Sequence, residues 1–172
     1  MLHDKYAHHA ACCESGGGLL RRHNALRDLL AKLLAEDLGA VVAIEQRVPQ
    51  LDRVNSKGET EEAILDIIAN IDGQSWMIDV SVVSPLSLDR QLVRGAARTD
   101  GFMAARREDD KRRRYDHQCL VPFVFETTGR PGQKAVDWMK LVYANRPTEM
   151  QAAWHRMSVL IQAHVAMQAQ SA

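Results

Sequence analysis

The segment from Ile64 to Pro85 constrains this chain more than any other. Ile64-Leu65-Asp66-Ile67-Ile68 and Trp76-Met77-Ile78-Asp79-Val80-Ser81-Val82-Val83 are β-branched runs, and the turn-prone Asn70-Ile71-Asp72-Gly73 lies between them. Two such runs around an Asp-Gly turn predict an antiparallel hairpin. Each run holds one acid in apolar surroundings, and twelve residues separate Asp66 from Asp79. A carboxylate among Ile and Val is costly to desolvate unless something pairs with it. Two arrangements meet that requirement. The acids can sit at strand ends, exposed or paired with arginine. Alternatively, they lie together, where each raises the other's pKa unless a cation sits between them. Mg²⁺ commonly takes one or two carboxylates and keeps water elsewhere, so the second arrangement is a candidate metal site.

The flanking segments predict the remaining elements. Asn24 to Leu38 reads as a helix capped by Asn24, striped by Leu26, Leu30, Leu33, Leu34 and Leu38, and ended by Gly39. Val41 to Val48 reads as a strand with Glu45 at its centre and Arg47 on the same face. Pro49 to Glu62 is polar, with a loop at Ser56-Lys57-Gly58. Gln91 to Tyr115 is helix-compatible, broken or loosened near Gly95 and Gly101. Leu120 to Glu126 is a further apolar strand, and Pro131 suits the first turn of a helix reaching Ala144. A last helix runs from Thr148 to about Gln168, its Met residues read as core filler. The order helix, three strands, helix, strand, helix, helix predicts an α/β sandwich around a mixed sheet.

A chain of 172 residues, 46% hydrophobic and 26% charged, is expected to form one domain with a real core. Its net charge is zero, yet Arg106, Arg107, Lys111, Arg112, Arg113 and Arg114 crowd one short segment. Three cysteines, two of them adjacent, do not make a disulfide framework and point to a reducing compartment. No run is long enough to span a membrane, and no signal-peptide pattern opens the chain. Residues 1–18 are polar and Gly-rich, and His9-x-x-x-Cys13 has the spacing of half a zinc site. A start of this kind reads as a piece of something longer. The expected division is a linker over residues 1–18, the main domain over 19–146 and a helical extension over 147–172.

In this order the residues resemble a known family. The matching pieces are His9-Ala10-Ala11-Cys12-Cys13-x-x-Gly16-Gly17, Arg22-His23-Asn24-x-x-Arg27-Asp28, and Glu45. After them come Asp66, Asp79-Val80-Ser81-Val82-Val83-Ser84-Pro85, Lys111-x-x-Arg114-Tyr115, and Val121-Pro122-Phe123-x-x-Glu126-Thr127-x-Gly129. Together they resemble the PD-(D/E)XK restriction-endonuclease-like nucleases. The closer resemblance is to the endonuclease domain in the C-terminal part of non-LTR retrotransposon polyproteins, where it follows a reverse transcriptase and a zinc knuckle. The chain departs from the general pattern at two points: Ile64-Leu65 precede Asp66 where proline is usual, and Ser81 stands where the motif lysine is usual.

The resemblance implies a restriction-endonuclease-like αβββαβ core and a DNA endonuclease that nicks its target to prime reverse transcription. It implies Mg²⁺ or Mn²⁺ held by Asp66 and Asp79, with Glu45 and the Val80 carbonyl as further ligands. Lys111 takes the role of a catalytic lysine displaced onto the following helix. Arg106, Arg107, Arg112, Arg113 and Arg114 are the implied DNA contacts. His9 and Cys13 would be the last two ligands of a knuckle whose first two ligands, and so the Zn²⁺ site, are incomplete here. The implied partners are DNA and a reverse transcriptase region, the implied location is the nucleus, and no membrane is involved. His23 reads as a structural or phosphate-side residue rather than a base, and Tyr115 as a packing residue. Glu126 either anchors Lys111 or Arg114 or simply ends its strand. A nucleic-acid-binding module that keeps the fold without the cutting is the competing reading.

Overall fold

The computed structural model describes residues 17–86 and 89–171. The expected half zinc site at His9 and Cys13 lies outside them. Helix α1 spans Gly18–Leu38 and buries Leu26, Leu30, Leu33 and Leu34. It begins a turn and a half before Asn24, the expected cap, and Gly39 ends it in the left-handed conformation, its N–H bonded to Ala35. Strand β1 (Val41–Arg47) follows. Two short strands, β2 (Arg53–Val54) and β3 (Thr60–Glu61), form a ribbon where the sequence predicts only polar loop. The Asn55 carboxamide oxygen closes that ribbon by accepting the N–H groups of Lys57 and Glu59. Strands β4 (Ile64–Ile71) and β5 (Gln74–Val83) make the expected hairpin. Its two turn residues, Asp72 and Gly73, both have positive φ, as a type I′ turn requires.

The helix-compatible segment after β5 is broken at one of the two expected points. Helix α2 is Arg90–Arg98, helix α3 is Phe102–Arg114, and Gly101 at φ 72° makes the break between them. Gly95 stays within α2, where its missing side chain makes room for the Phe102 ring. Strand β6 is Leu120–Glu126, with all seven residues buried. Helix α4 is Gln133–Val142; Pro131 precedes it and pairs with Phe125 instead of opening the helix. Helix α5 is Pro147–Ser171.

The main sheet has the order β1-β4-β5-β6, antiparallel except for the parallel pair β5 and β6. The connection through α2 and α3 is the crossover that a parallel pair needs. Pro122 fits within β6 because that strand is at an edge of the sheet. One side of the sheet, through Ile67, Ala69, Ile78, Val80, Phe123 and Phe125, packs on α1, α4 and α5. Phe123 stacks on Trp154 and meets Trp138 edge-on. The C-terminal helix therefore belongs to the core, where Ala153, Met157 and Ile161 are fully buried. Helix α3 covers the other side, bringing residues toward Asp79 and Ser81 on β5 and Glu126 on β6. The fold is a mixed α/β sandwich: a four-stranded mixed sheet with helices on both sides.

Candidate active site

The ladder between β4 and β5 runs from Ile71↔Gln74 to Ile67↔Ile78 and stops there. Asp66 and Asp79 are the next residues in each strand. Where the ladder stops, a side chain replaces it: Asp66 Oδ2 accepts the Val80 N–H at 2.7 Å. The other oxygen, Oδ1, is 2.8 Å from His23 Nε2 on α1. An acid in this strand thus gains two partners at the point where β4 and β5 part, which answers the desolvation problem posed by its apolar neighbours. A cleft of about 570 Å³ opens here, bordered by His23, Asp66, Asp79, Ser81, Lys111 and Tyr115 among others. Val80 borders it too, although its side chain lies in the core, so its main chain is what the cleft meets.

Asp79 points to the α3 side of β5. Lys111 reaches it from α3 with Nζ 2.5 Å from Asp79 Oδ1, and the lysine side chain is only 6% exposed. One turn earlier on the same helix face, Arg107 donates from Nε to Ser81 Oγ at 3.2 Å. Two cations from α3 therefore reach neighbouring positions on one side of β5, Lys111 at Asp79 and Arg107 at Ser81.

Burial sets the electrostatics. It pushes the Asp79 carboxyl up; Lys111 opposes that shift without cancelling it, and the nearby Asp66 charge adds to it. Burial likewise pushes the Lys111 ammonium down, against the pull of Asp79. Asp66 behaves oppositely. Burial raises it, but the His23 hydrogen bond and charge, the Val80 N–H and Lys111 together bring it below the ordinary carboxylate value. Burial also raises the Tyr115 phenol, which lies under the Arg114 guanidinium at 5.1 Å from the ring centre.

The other expected site residues fall elsewhere. Glu45 does not border the cleft: it has φ 52°, its side chain is 62% exposed, and it pairs with Arg27. Arg47 pairs with Asp52 and Glu62. Arg106 is exposed on α3, and Arg112 and Arg113 lie on a separate surface with Asp109 and Asp116. Arg114 borders the cleft. Glu126 anchors neither Lys111 nor Arg114; its Oε1 accepts the Ala104 N–H in the first turn of α3 at 3.4 Å. Helix α3 is held from its middle as well, because the buried Glu108 accepts the Lys134 N–H at the start of α4 at 2.9 Å. The His23 contact and the Arg107–Ser81 bond were not predicted as such, since both join elements far apart in sequence.

No family model matches the chain, and no curated protein matches it. No helix among the described residues is long and apolar enough to cross a membrane. Among the same residues no three His, Cys, Asp or Glu side chains are grouped as a ligand set. Two neighbouring carboxylates, both bordering an open cleft, are the donor set present. They fit a hard divalent ion that takes one or two carboxylates and keeps water or substrate oxygens in its other positions. They do not fit a four-ligand zinc site.

Proposed function

We propose that this chain is a metal-dependent DNA endonuclease with a restriction-endonuclease-like core. The observation that carries the reading is the meeting of Asp66, Asp79 and Lys111 at one cleft where two strands part. These are the residues that the family resemblance marks as two metal-binding acids and a displaced lysine. Asp66, Asp79 and the Val80 carbonyl would hold Mg²⁺ or Mn²⁺. When bound, such an ion polarises the scissile phosphate and lowers the pKa of the attacking water, worth several kcal/mol.

The protein's own groups divide the remaining work. His23 and the Val80 N–H hold the Asp66 carboxylate in its ionised form and fix its orientation. Lys111 sits where its ammonium can orient the attacking water or offset the negative charge that develops on the phosphate. Tyr115 forms a wall of the cleft and supports Arg114. Arg112 and Arg113, on the surface apart from the cleft where Arg113 pairs with Asp110, would contact phosphates away from the cut site without reading sequence. Glu45 has no part in the site. A role in target-primed reverse transcription, as the nicking domain beside a reverse transcriptase in the nucleus, rests on the resemblance alone.

A second reading, a binding module that no longer cuts, has one observation in its favour. Both acids are already satisfied by protein partners, Asp66 by His23 and Val80 and Asp79 by Lys111. Nicking of supercoiled plasmid with Mg²⁺ or Mn²⁺ separates the two. The nuclease reading expects nicking by the wild type and none by Asp79→Ala.

A further inference from the structure

Helix α2 is an odd element to find on this domain. It has nine residues and none of them is buried. A helix of that length is marginal without packing partners. Its half-buried positions are Leu92, Gly95 and Ala96, which share one side. Gly95 lies so close to the Phe102 ring that a Cβ there would be 2.5 Å from Cζ. The opposite side carries Arg90, Arg94 and Arg98 at four-residue spacing, all exposed, and the helix contains no acid. Among the described residues none of the three makes an ion pair or a side-chain hydrogen bond. In a chain of zero net charge, three unneutralised arginines in one row are a local surplus.

We propose that the Arg90–Arg94–Arg98 row of α2 docks on the phosphate backbone of duplex DNA, carrying the substrate into the cleft between β5 and α3. The choice of duplex DNA as partner rests on the nuclease reading; the polyanion-binding character of the row does not. Each four-residue step advances about 6 Å along the helix, so the row is about 12 Å long. One strand of duplex DNA presents a phosphate every ~3.4 Å of axis, so the row spans about three to four phosphates. A membrane surface fits poorly, because a helix lying on lipid presents its apolar side outward, and here Leu92 and Ala96 face the protein body. The row is joined to the site along the chain. Helix α2 follows the strand that carries Asp79 and leads through the Gly101 break into the helix that carries Lys111.

The test is binding of a fluorescent duplex in EDTA over a series of salt concentrations. The proteins are the wild type, Arg90→Ala/Arg94→Ala/Arg98→Ala, and the matching triple lysine variant. Each lost phosphate contact removes about 0.9 from the slope of log K against log salt. The triple alanine variant should lose about 2.7, and the lysine variant should keep the wild-type slope. An unchanged slope in the alanine variant overturns the proposal, as does an equal loss in the lysine variant or no duplex binding by the wild type. Loss of binding confined to single-stranded RNA or to phosphatidylserine vesicles also overturns it, in favour of that partner. Plasmid nicking with Mg²⁺ is measured beside it. If the wild type binds duplex through α2 but does not nick, the nuclease reading fails and the docking row stands. If the wild type nicks and the slopes are equal, the reverse holds.

Discussion

Lys111 Nζ on α3 lies 2.5 Å from Asp79 Oδ1 on β5, with both side chains mostly buried. Burying two charges costs several kcal/mol per ion, which their attraction repays only in good geometry. That cost is the reason Asp79 is raised and Lys111 lowered. Removing one member strands the other, a loss of about 3–5 kcal/mol. Lys111→Met should therefore destabilise the fold strongly, and Lys111→Met/Asp79→Asn should regain much of the loss. Urea unfolding followed by tryptophan fluorescence measures both. Strict additivity of the two single changes would show that the pair is not the unit described.

The same lysine should separate from its basic neighbours in function. Lys111→Ala is expected to abolish cutting while leaving the salt slope of DNA binding nearly unchanged, provided the folded fraction is confirmed by circular dichroism. Arg112→Ala or Arg113→Ala should each lower the slope by about one and leave cutting recoverable at high protein concentration. If Lys111→Ala changes only the slope, Lys111 is one more phosphate contact and Arg107, bonded to Ser81 beside it, becomes the leading catalytic cation.

Asp66 and Asp79 should respond to pH with opposite signs. The ordinary value for either acid is 3.8. Asp66 is held below it in the fold, so its contribution to stability is present above that value and lost as pH falls through the lower folded value. Asp79 is held above it, so its contribution is complete below 3.8 and lost as pH rises through the folded value. The stability of the wild type relative to Asp66→Asn should grow on raising pH from strongly acid to neutral. Relative to Asp79→Asn it should shrink over the upper part of that range. Urea midpoints across the series measure it, and slopes of the same sign would contradict the assigned environments.

The helix supporting Lys111 should be sensitive far from the cleft. Glu108 is buried, raised by that burial, and bonded to the Lys134 N–H. Gly132 lies against its carboxylate with no room for a methyl group. Gly132→Ala should cost about 1–3 kcal/mol, the usual range for overpacking. Thermal unfolding of the variant checks this, and an unchanged midpoint would mean that Glu108 moves freely aside.

The parts that the sequence made legible were those with local causes. The hairpin follows from β-branched runs around Asp72-Gly73, and the α1 core stripe from its leucine spacing. The extra ribbon at Arg53–Glu61 carried a local sign as well, in an Asn55 placed to bond Lys57 and Glu59. The break between α2 and α3 was marked by Gly101, while Gly95 gave a false second mark because its role is to admit Phe102. Glu45 was out of reach: its strand is regular by composition, and only the positive φ and the Arg27 partner on α1 turn it away from the cleft. The partners of Asp66 and Ser81 come from α1 and α3, and no local pattern announces a contact of that range.

The most direct measurement is the rate of plasmid nicking in Mg²⁺ and in Mn²⁺ by the wild type, Asp66→Ala and Asp79→Ala, with DNA binding measured on the same proteins in EDTA. Metal-dependent nicking by the wild type is expected, with a loss on the order of a hundredfold or greater in each variant, equivalent to about 3 kcal/mol, and retained binding. Nicking by either variant at the wild-type rate, or a wild type that binds DNA and does not cut with either metal, would contradict it.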